Sequence, residues 1–488
     1  MDSPVQIPFK SFIQLKPEEN TALYLQIVFQ FIKAIQMGFL PEGTKLPGTR
    51  TLCQLLSVNR NTLIKAFQDL ESQGFIEISP NIGTFILTDQ KQKSEKTLSK
   101  MDNKLGFTFK QSLILEDPSE KNNLAIQFND GDSDLRLVQT DILARLYVSK
   151  LKRKKNADTL GQMQLQSRID FKLHFSNFLN VTRGLRITST NILISSSHEL
   201  SLYLVTKALI STGDKVVVAS PNYYRANMTL LDCGAQLLTI PVDEEGLSTT
   251  HLRQICEKHN IRALYITSNF HYPSTTLLSA KRRMEVLEMA SLYDFVILED
   301  DYDFDFHYDN NSILPLAAMD VHAKVIYVGS FARFMPSGFG YGFVSAPSAF
   351  IRELEKHQGI LEPAIDVAKE QVLTSWIQDG EVHRLIKKNK KLYRDRRDYF
   401  VSFLDEKLKG KIKYTVPARG LAIWVEWLDQ FSLVKFKEQC ASHGLFLPKT
   451  ILYQNKKQRA TRLGFGHLTK EEMTVAIDKL RRALEETA

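Results

Sequence analysis

The chain has 488 residues, and that length predicts about two to four domains. Its 43% hydrophobic and 24% charged residues are those of a soluble globular protein. No apolar run approaches the roughly 20 residues that a membrane helix needs, and Met1 to Lys10 has no basic stretch leading into an apolar core, so no signal peptide is expected. The cysteines Cys53, Cys233, Cys256 and Cys440 are scattered without metal-ligand spacing and read as reduced thiols of a cytoplasmic protein. The net charge of +8 is a weak pointer to nucleic acid. Residues 1–87 hold seven Lys/Arg and seven Asp/Glu, so the excess lies in the larger C-terminal part.

In chain order, Leu23 to Met37 carries apolar residues at helical spacing, with Gly38 as a stop. Pro41 to Pro47 reads as a loop. A short helix from about Thr49 follows, with Leu52, Leu55 and Leu56 apolar, then a turn at Ser57-Val58-Asn59. A second helix runs from Arg60 to Gln73, with Leu63, Phe67 and Leu70 on one face, and Gly74 ends it. Phe75–Ser79 and Thr84–Leu87 are predicted strands around the turn Pro80-Asn81-Ile82-Gly83. A helix-turn-helix followed by a hairpin is a winged helix. Arg50, Arg60, Asn61, Thr62 and Lys65 cluster at or near the helix starts, where backbone N–H groups add donors for phosphate. Arginine and asparagine side chains also read guanine and adenine edges in the major groove.

Residues 22–87 closely resemble the GntR-type winged helix. The matching pattern runs from Leu46-Pro47-Gly48-Thr49-Arg50 through Val58-Asn59-Arg60-Asn61-Thr62 to Gly83-Thr84-Phe85. The resemblance implies DNA contacts by Arg50, Arg60, Asn61 and Thr62, and by the wing near Asn81, Gly83 and Thr84. Asn81-Ile82-Gly83 departs from the family's Gly-x-Gly, but asparagine tolerates the left-handed conformation. A winged helix that only packs against proteins is the alternative.

Residues 88–123 are polar, mixed in charge and without sustained apolar periodicity, which predicts a flexible linker. From Leu124 strand-like runs alternate with helical stretches. Ile192–Ser195, Lys215–Ala219, Gln236–Pro241, Ala263–Thr267, Phe295–Glu299, Val325–Gly329 and Gly342–Ala346 are the predicted strands. This alternation predicts an α/β domain with a mostly parallel sheet, and no GxGxxG supports a dinucleotide fold.

Short motifs in this second part are more specific. Ser195-Ser196-Ser197, Ser220-Pro221-Asn222-Tyr223, Phe270 to Thr275, Glu299-Asp300-Asp301-Tyr302-Asp303 and Thr461-Arg462-Leu463-Gly464-Phe465 occur in the order found in class I, fold-type I aminotransferases. Residues 124–488 resemble that domain, with a smaller C-terminal α/β subdomain from about 375 to 488. Together with the N-terminus, residues 1–87, the chain resembles the MocR-type transcription regulators. The resemblance implies pyridoxal phosphate (PLP) as cofactor. Ser195-Ser196-Ser197 falls at its phosphate cup, so that Ser196, Ser197 and His198 would bind the cofactor; Tyr223 would stack on the ring, and Asp300 would keep the pyridine nitrogen protonated. Tyr302 would meet the 3′ oxygen, Ser330 the phosphate, and Arg462 a substrate carboxylate.

The departures from that pattern are at least as informative. Arg333 stands where the family has the lysine that forms the imine with PLP, and a guanidinium offers no neutral amine. The family's phosphate-binding arginine is missing from the shortened stretch Pro336 to Tyr341, and no lysine occurs between Lys324 and Lys356. Ser196 and Thr275 replace glycines. Leu160-Gly161 is followed by Gln162 to Ser167, where the family has a tyrosine, an Asp-Pro and a second glycine. Arg333 either pairs with Asp300 and closes the old site or binds an anionic ligand. The basic run from His383 to Arg397 is a solvated face or a second DNA-touching surface.

Taken together, these features predict a homodimeric regulator that binds double-stranded DNA. Its aminotransferase-like domain senses a small molecule, an amino acid or a PLP-like compound, with transamination and covalent PLP binding lost and no metal. Noncovalent PLP binding is left open. The alternatives are a PLP-dependent enzyme or PLP sensor that uses another lysine, and a large domain that only dimerises.

Overall fold

A computed structural model describes residues 21–36, 39–80, 82–87, 122–138, 140–152, 160–308, 313–331, 333–335, 338–455 and 458–487, with isolated residues before and between (9, 13, 15, 108, 112, 114, 115 and 120); for 160–165 it describes only the backbone. Two compact units emerge, Met1–Gln111 and Ser112–Ala488. Asn81, one of the expected wing contacts, lies outside the described residues.

In the first unit, helix Leu23–Gln36 packs on helix Arg60–Ser72, which follows the shorter helix Thr49–Leu56. Leu63, Ala66, Phe67 and Leu70 recur at helical spacing and are buried, and Phe31 meets Phe67 edge-on at 5.9 Å. Strands β1 (Lys45–Leu46), β2 (Ile76–Ser79) and β3 (Gly83–Ile86) form an antiparallel sheet in the order β1-β3-β2. The stretch Pro41 to Pro47, read from sequence as a loop, therefore contains a strand, with Lys45 paired to Phe85 and Leu46 to Thr84. Two residues carry no readable alternation, and the pairing comes from β3.

The second unit is built on an eight-stranded sheet. Its strands are β5 (Ile192–Ser195), β6 (Lys215–Ser220), β7 (Gln236–Asp243), β8 (Gly246–Leu247), β9 (Ala263–Ile266), β10 (Val296–Asp301), β11 (Val325–Phe331) and β12 (Tyr341–Ser345), in the order β5-β12-β11-β10-β9-β6-β7-β8. β6, β7, β9, β10 and β11 run parallel, while β12 is antiparallel to both of its neighbours and β8 to β7. The strands are apolar because both faces are covered. Val216 and Val218 pack into one core with Leu193, Leu298 and Val328, and Val217 and Ala219 into the other with Leu264 and Ile297. Each predicted strand of this sheet is present, shifted at most by two residues at an end. The stretch Gln162 to Ser167, which departs from the family's pattern, lies in the first turns of the helix Leu160–Arg183.

A smaller antiparallel sheet, β13 (Ile412–Tyr414), β14 (Ala422–Trp427), β17 (Arg459–Gly464) and β16 (Leu452–Gln454), forms the C-terminal subdomain with helices Glu381–Lys407, Leu433–Ser442 and Lys470–Thr487. β4 (Ile126–Gln127) pairs there with β15 (Leu445–Phe446). The second unit begins inside the stretch read as linker. Glu120 forms an ion pair with Lys437 and accepts the Lys449 N–H at 2.7 Å.

Gly342 fixes how closely β12 approaches the helix His198–Leu209. A Cβ there would lie 2.1 Å from the Ser197 carbonyl oxygen and 2.7 Å from the His198 nitrogen. Gly342→Ala should therefore force backbone apart and destabilise the second unit by about 1–3 kcal/mol, read as a lower urea midpoint.

Candidate functional site

In the first unit the residues expected at DNA sit together at the helix starts. Asn59 caps the helix Arg60–Ser72, its side chain accepting the Asn61 N–H at 3.4 Å. Arg50, Arg60, Asn61 and Lys65 are exposed and Thr62 half-buried. None of Arg50, Arg60 and Lys65 forms an ion pair among the described residues, and Lys65 Nζ rests 3.9 Å from the centre of the Tyr24 ring. Gly83 and Thr84 lie in β3, and Gly83 takes φ +140, a backbone that favours glycine.

In the second unit, Ser196, Ser197, His198, Tyr223, Tyr302, Ser330 and Arg333 all line one cavity of about 520 Å³, a volume suited to a small molecule. It opens where β10 and β11 end and the helix His198–Leu209 begins, the usual ligand edge of such a sheet. Asp130, Asp132, Glu199, Tyr224, Arg225 and Tyr272 also line it. Asp300 and Arg462 stand behind this wall.

Asp300 is buried and held from both sides. His198 Nε2 lies 2.8 Å from Oδ1, and the Tyr265 hydroxyl donates to Oδ2 at 2.6 Å. Burial opposes a charged imidazole, yet Asp300 outweighs it and raises the His198 pKa.

The sequence left open an Arg333–Asp300 pair, and the structure pairs Arg333 differently. Its Nη1 contacts the carboxylate of Asp303, its Nη2 donates to the Gly131 carbonyl at 3.1 Å and lies 3.6 Å from Asp132, and the guanidinium covers the Tyr302 ring at 5.3 Å. The reason is supply: Asp300 already has its partners, whereas Asp303 is 3% exposed and needs a cation. Ser330 Oγ donates to the Tyr302 carbonyl at 2.9 Å. Ser197 caps its helix by accepting the Leu200 N–H at 3.1 Å, and the Ser196 N–H donates to Glu362 at 3.3 Å.

Arg462 is fully buried on β17. Its Nη1 donates to the Pro273 carbonyl at 3.0 Å and its Nη2 to the Tyr302 hydroxyl at 3.2 Å. Nε sits 2.9 Å from Asp130 Oδ1 while aiming its N–H at the Asp130 carbonyl, 3.2 Å away. The Tyr272 hydroxyl donates to Asp130 Oδ2 at 2.8 Å. Tyr223 meets Tyr272 edge-on at 4.9 Å. Thr275, in place of a glycine, takes φ +60, a left-handed backbone that costs a β-branched residue about 1–2 kcal/mol.

Sequence reading missed Asp130, Asp303, Tyr265 and Lys369. Asp303 had a signal, since a run of acids at a strand end calls for a cation. Lys369 had none. It comes from the helix Val367–Gln378, and its Nζ donates to the Gly338 and Gly340 carbonyls at 2.8 and 2.9 Å and covers the Tyr341 ring at 3.6 Å. Burial brings its pKa down to about 8.

The residues do not fit PLP held as an imine. On the ring side, Tyr223 and Tyr302 line the cavity, and Asp300 lies behind its wall with His198 at Oδ1 and Tyr265 donating to Oδ2. No lysine lines the cavity among the described residues, and Arg333 is committed to Asp303. No imine forms on a guanidinium.

Comparison with known proteins agrees with this architecture. The family described as aminotransferase class I and II matches residues 120–480. The chain belongs to the class I and II aminotransferase family. Residues 23–86 match the bacterial regulatory proteins of the gntR family. The HTH-type transcriptional regulator YdfD of Bacillus subtilis is 24% identical over 98% of this chain and 99% of its own length. The probable rhizopine catabolism regulatory protein MocR of Rhizobium meliloti is 21% identical over 96% and 95%. Among solved structures, the multiple substrate aminotransferase of Thermococcus profundus superposes with a TM-score of 0.67 at 20% identity, covering 75% of this chain and 92% of that one, which shows the shared fold. The family member here is thus a GntR-type DNA-binding regulator fused to an aminotransferase-like domain, the make-up of MocR-type regulators.

The His198–Asp300 pair has a pH signature. Because the folded pKa lies above the ordinary histidine value, the pair stabilises the fold fully below about pH 6.5, and this contribution is lost as pH rises through the raised value. Histidine NMR titration should place His198 above the ordinary range, and Asp300→Asn should bring its midpoint down. An unchanged midpoint would mean that Asp300 does not hold the charge.

Proposed function

We propose that the protein acts as a homodimer, that its winged helix reads DNA through Arg50, Arg60, Asn61, Thr62, Lys65 and the wing at Gly83 and Thr84, and that the cavity of the second unit holds a small-molecule effector in place of transamination. The observation that carries the reading is Arg333. By the resemblance it takes the place of the imine lysine, and it is always charged and bound to the buried carboxylate of Asp303, in a cavity wall without lysine among the described residues. The retained ring-side residues support a cavity that still takes a ligand, because a pure scaffold has no need of them. The second unit would supply the dimer, and a ligand that prefers one arrangement of it would shift the two winged helices relative to each other.

On this reading, Arg60→Ala and Asn61→Ala each abolish specific operator binding in a gel shift, while gel filtration shows the same oligomer as the parent. Unchanged operator affinity would remove the helix Arg60–Ser72 from its assigned role.

The lost chemistry is tested by titrating the protein with PLP, recording the absorption spectrum, reducing with borohydride and mapping adducts. No imine band and no adduct are expected, and Arg333→Lys alone should not restore amino-group transfer. A reduced adduct on Lys369, whose amine has the lowered pKa and touches the cavity loop, would overturn the reading in favour of a PLP sensor or enzyme.

A further inference from the structure

We propose that Asp130 fills, from within the chain, the place of a ligand carboxylate on Arg462, so that this end of the cavity turns away carboxylates and takes a cationic amine. The inference rests on the reading of the cavity as an effector site.

The guanidinium of Arg462 has no free edge. Each of its three nitrogens has a partner inside the protein: the Pro273 carbonyl, the Tyr302 hydroxyl, and the carbonyl and carboxylate of Asp130. A carboxylate from a ligand binds a guanidinium as a fork, through two parallel N–H groups, and no such pair is left. Arg462 has no exposed surface and does not reach the cavity.

Asp130 does reach it. Its carboxylate stands between Arg462 and the cavity, steadied by the Tyr272 hydroxyl on Oδ2. Oδ1 has almost no exposed surface and accepts no hydrogen bond among the described residues, although Arg462 Nε is 2.9 Å away. Burial pushes the Asp130 carboxyl up to about 6, against the pull of Arg462, so it is charged at neutral pH and still poorly compensated. What a ligand meets at this end is an anion.

The neighbours point the same way. Asp132 and Glu199 also line the cavity, and Tyr223 supplies an aromatic face, while the rings of Tyr224 and Tyr272 are already covered by Arg225 and Arg462. Two of the facing cations are paired with carboxylates, Arg333 with Asp303 and Asp132 and His198 with Asp300, while Arg225 donates to the neutral Tyr224 hydroxyl and feels the charge of Glu199. The ligand class that fits is a compact organic amine with no carboxylate beside the ammonium group.

Phenethylamine and phenylalanine differ by that single carboxylate. Their affinities for the full-length protein and for Asp130→Asn are measured by calorimetry at constant ionic strength. The parent should bind phenethylamine at least tenfold more tightly than phenylalanine. In Asp130→Asn the amine should weaken and phenylalanine tighten, each by at least tenfold. A parent that binds phenylalanine as well as the variant does would overturn the inference and leave the cavity standing as an effector site. Binding of neither probe to either protein would overturn both. Should the variant not fold, the comparison on the parent alone decides: preference for phenylalanine defeats the proposal.

Discussion

A guanidinium at the end of β11 imposes the constraint from which the rest of the cavity follows. A lysine there would lose its proton readily when buried, whereas an arginine cannot, so Arg333 brings a permanent charge into the wall. A buried carboxylate beside it needs that charge, because removing one partner of a buried pair costs about 3–5 kcal/mol. Asp303 is that carboxylate, one turn residue beyond Tyr302. With Arg333 drawn to Asp303 and laid over the Tyr302 ring, Asp300 is left to His198 and Tyr265. The two acids of one motif thus serve two separate cations.

This division gives the cavity a wall of closed pairs. Arg333–Asp303 and His198–Asp300 each satisfy a charge inside the protein, and Arg462 is satisfied by Asp130, whose own carboxylate still faces the cavity. An enzyme site of this fold would leave some of these groups for its cofactor and substrate. Here Arg333, His198 and Arg462 each have a carboxylate partner within the protein. Lys369 is the exception, an amine held only by carbonyls and a ring, and for that reason it is the informative place to look for an adduct.

Much of the fold was legible in the sequence because burial on both faces leaves unbroken apolar runs. Val216 to Ala219 is such a run, and its strand stands where the pattern put it. The winged helix was legible through Leu63, Phe67 and Leu70, whereas β1 was not, because two residues owe their pairing to β3 alone. The cavity was legible as a set of positions but not as a set of pairings. Asp130 and Arg462 are joined across the whole length of the domain, and Lys369 reaches Gly340 from a distant helix. No local spacing encodes such meetings. They follow from which strand ends the sheet brings side by side.

Glu120 ties the beginning of the second unit to Lys437 and to the Lys449 amide, both in the C-terminal subdomain rather than on the large sheet. The beginning of the second unit is therefore moored to the smaller subdomain. Any swing of that part against the large sheet moves the mooring with it.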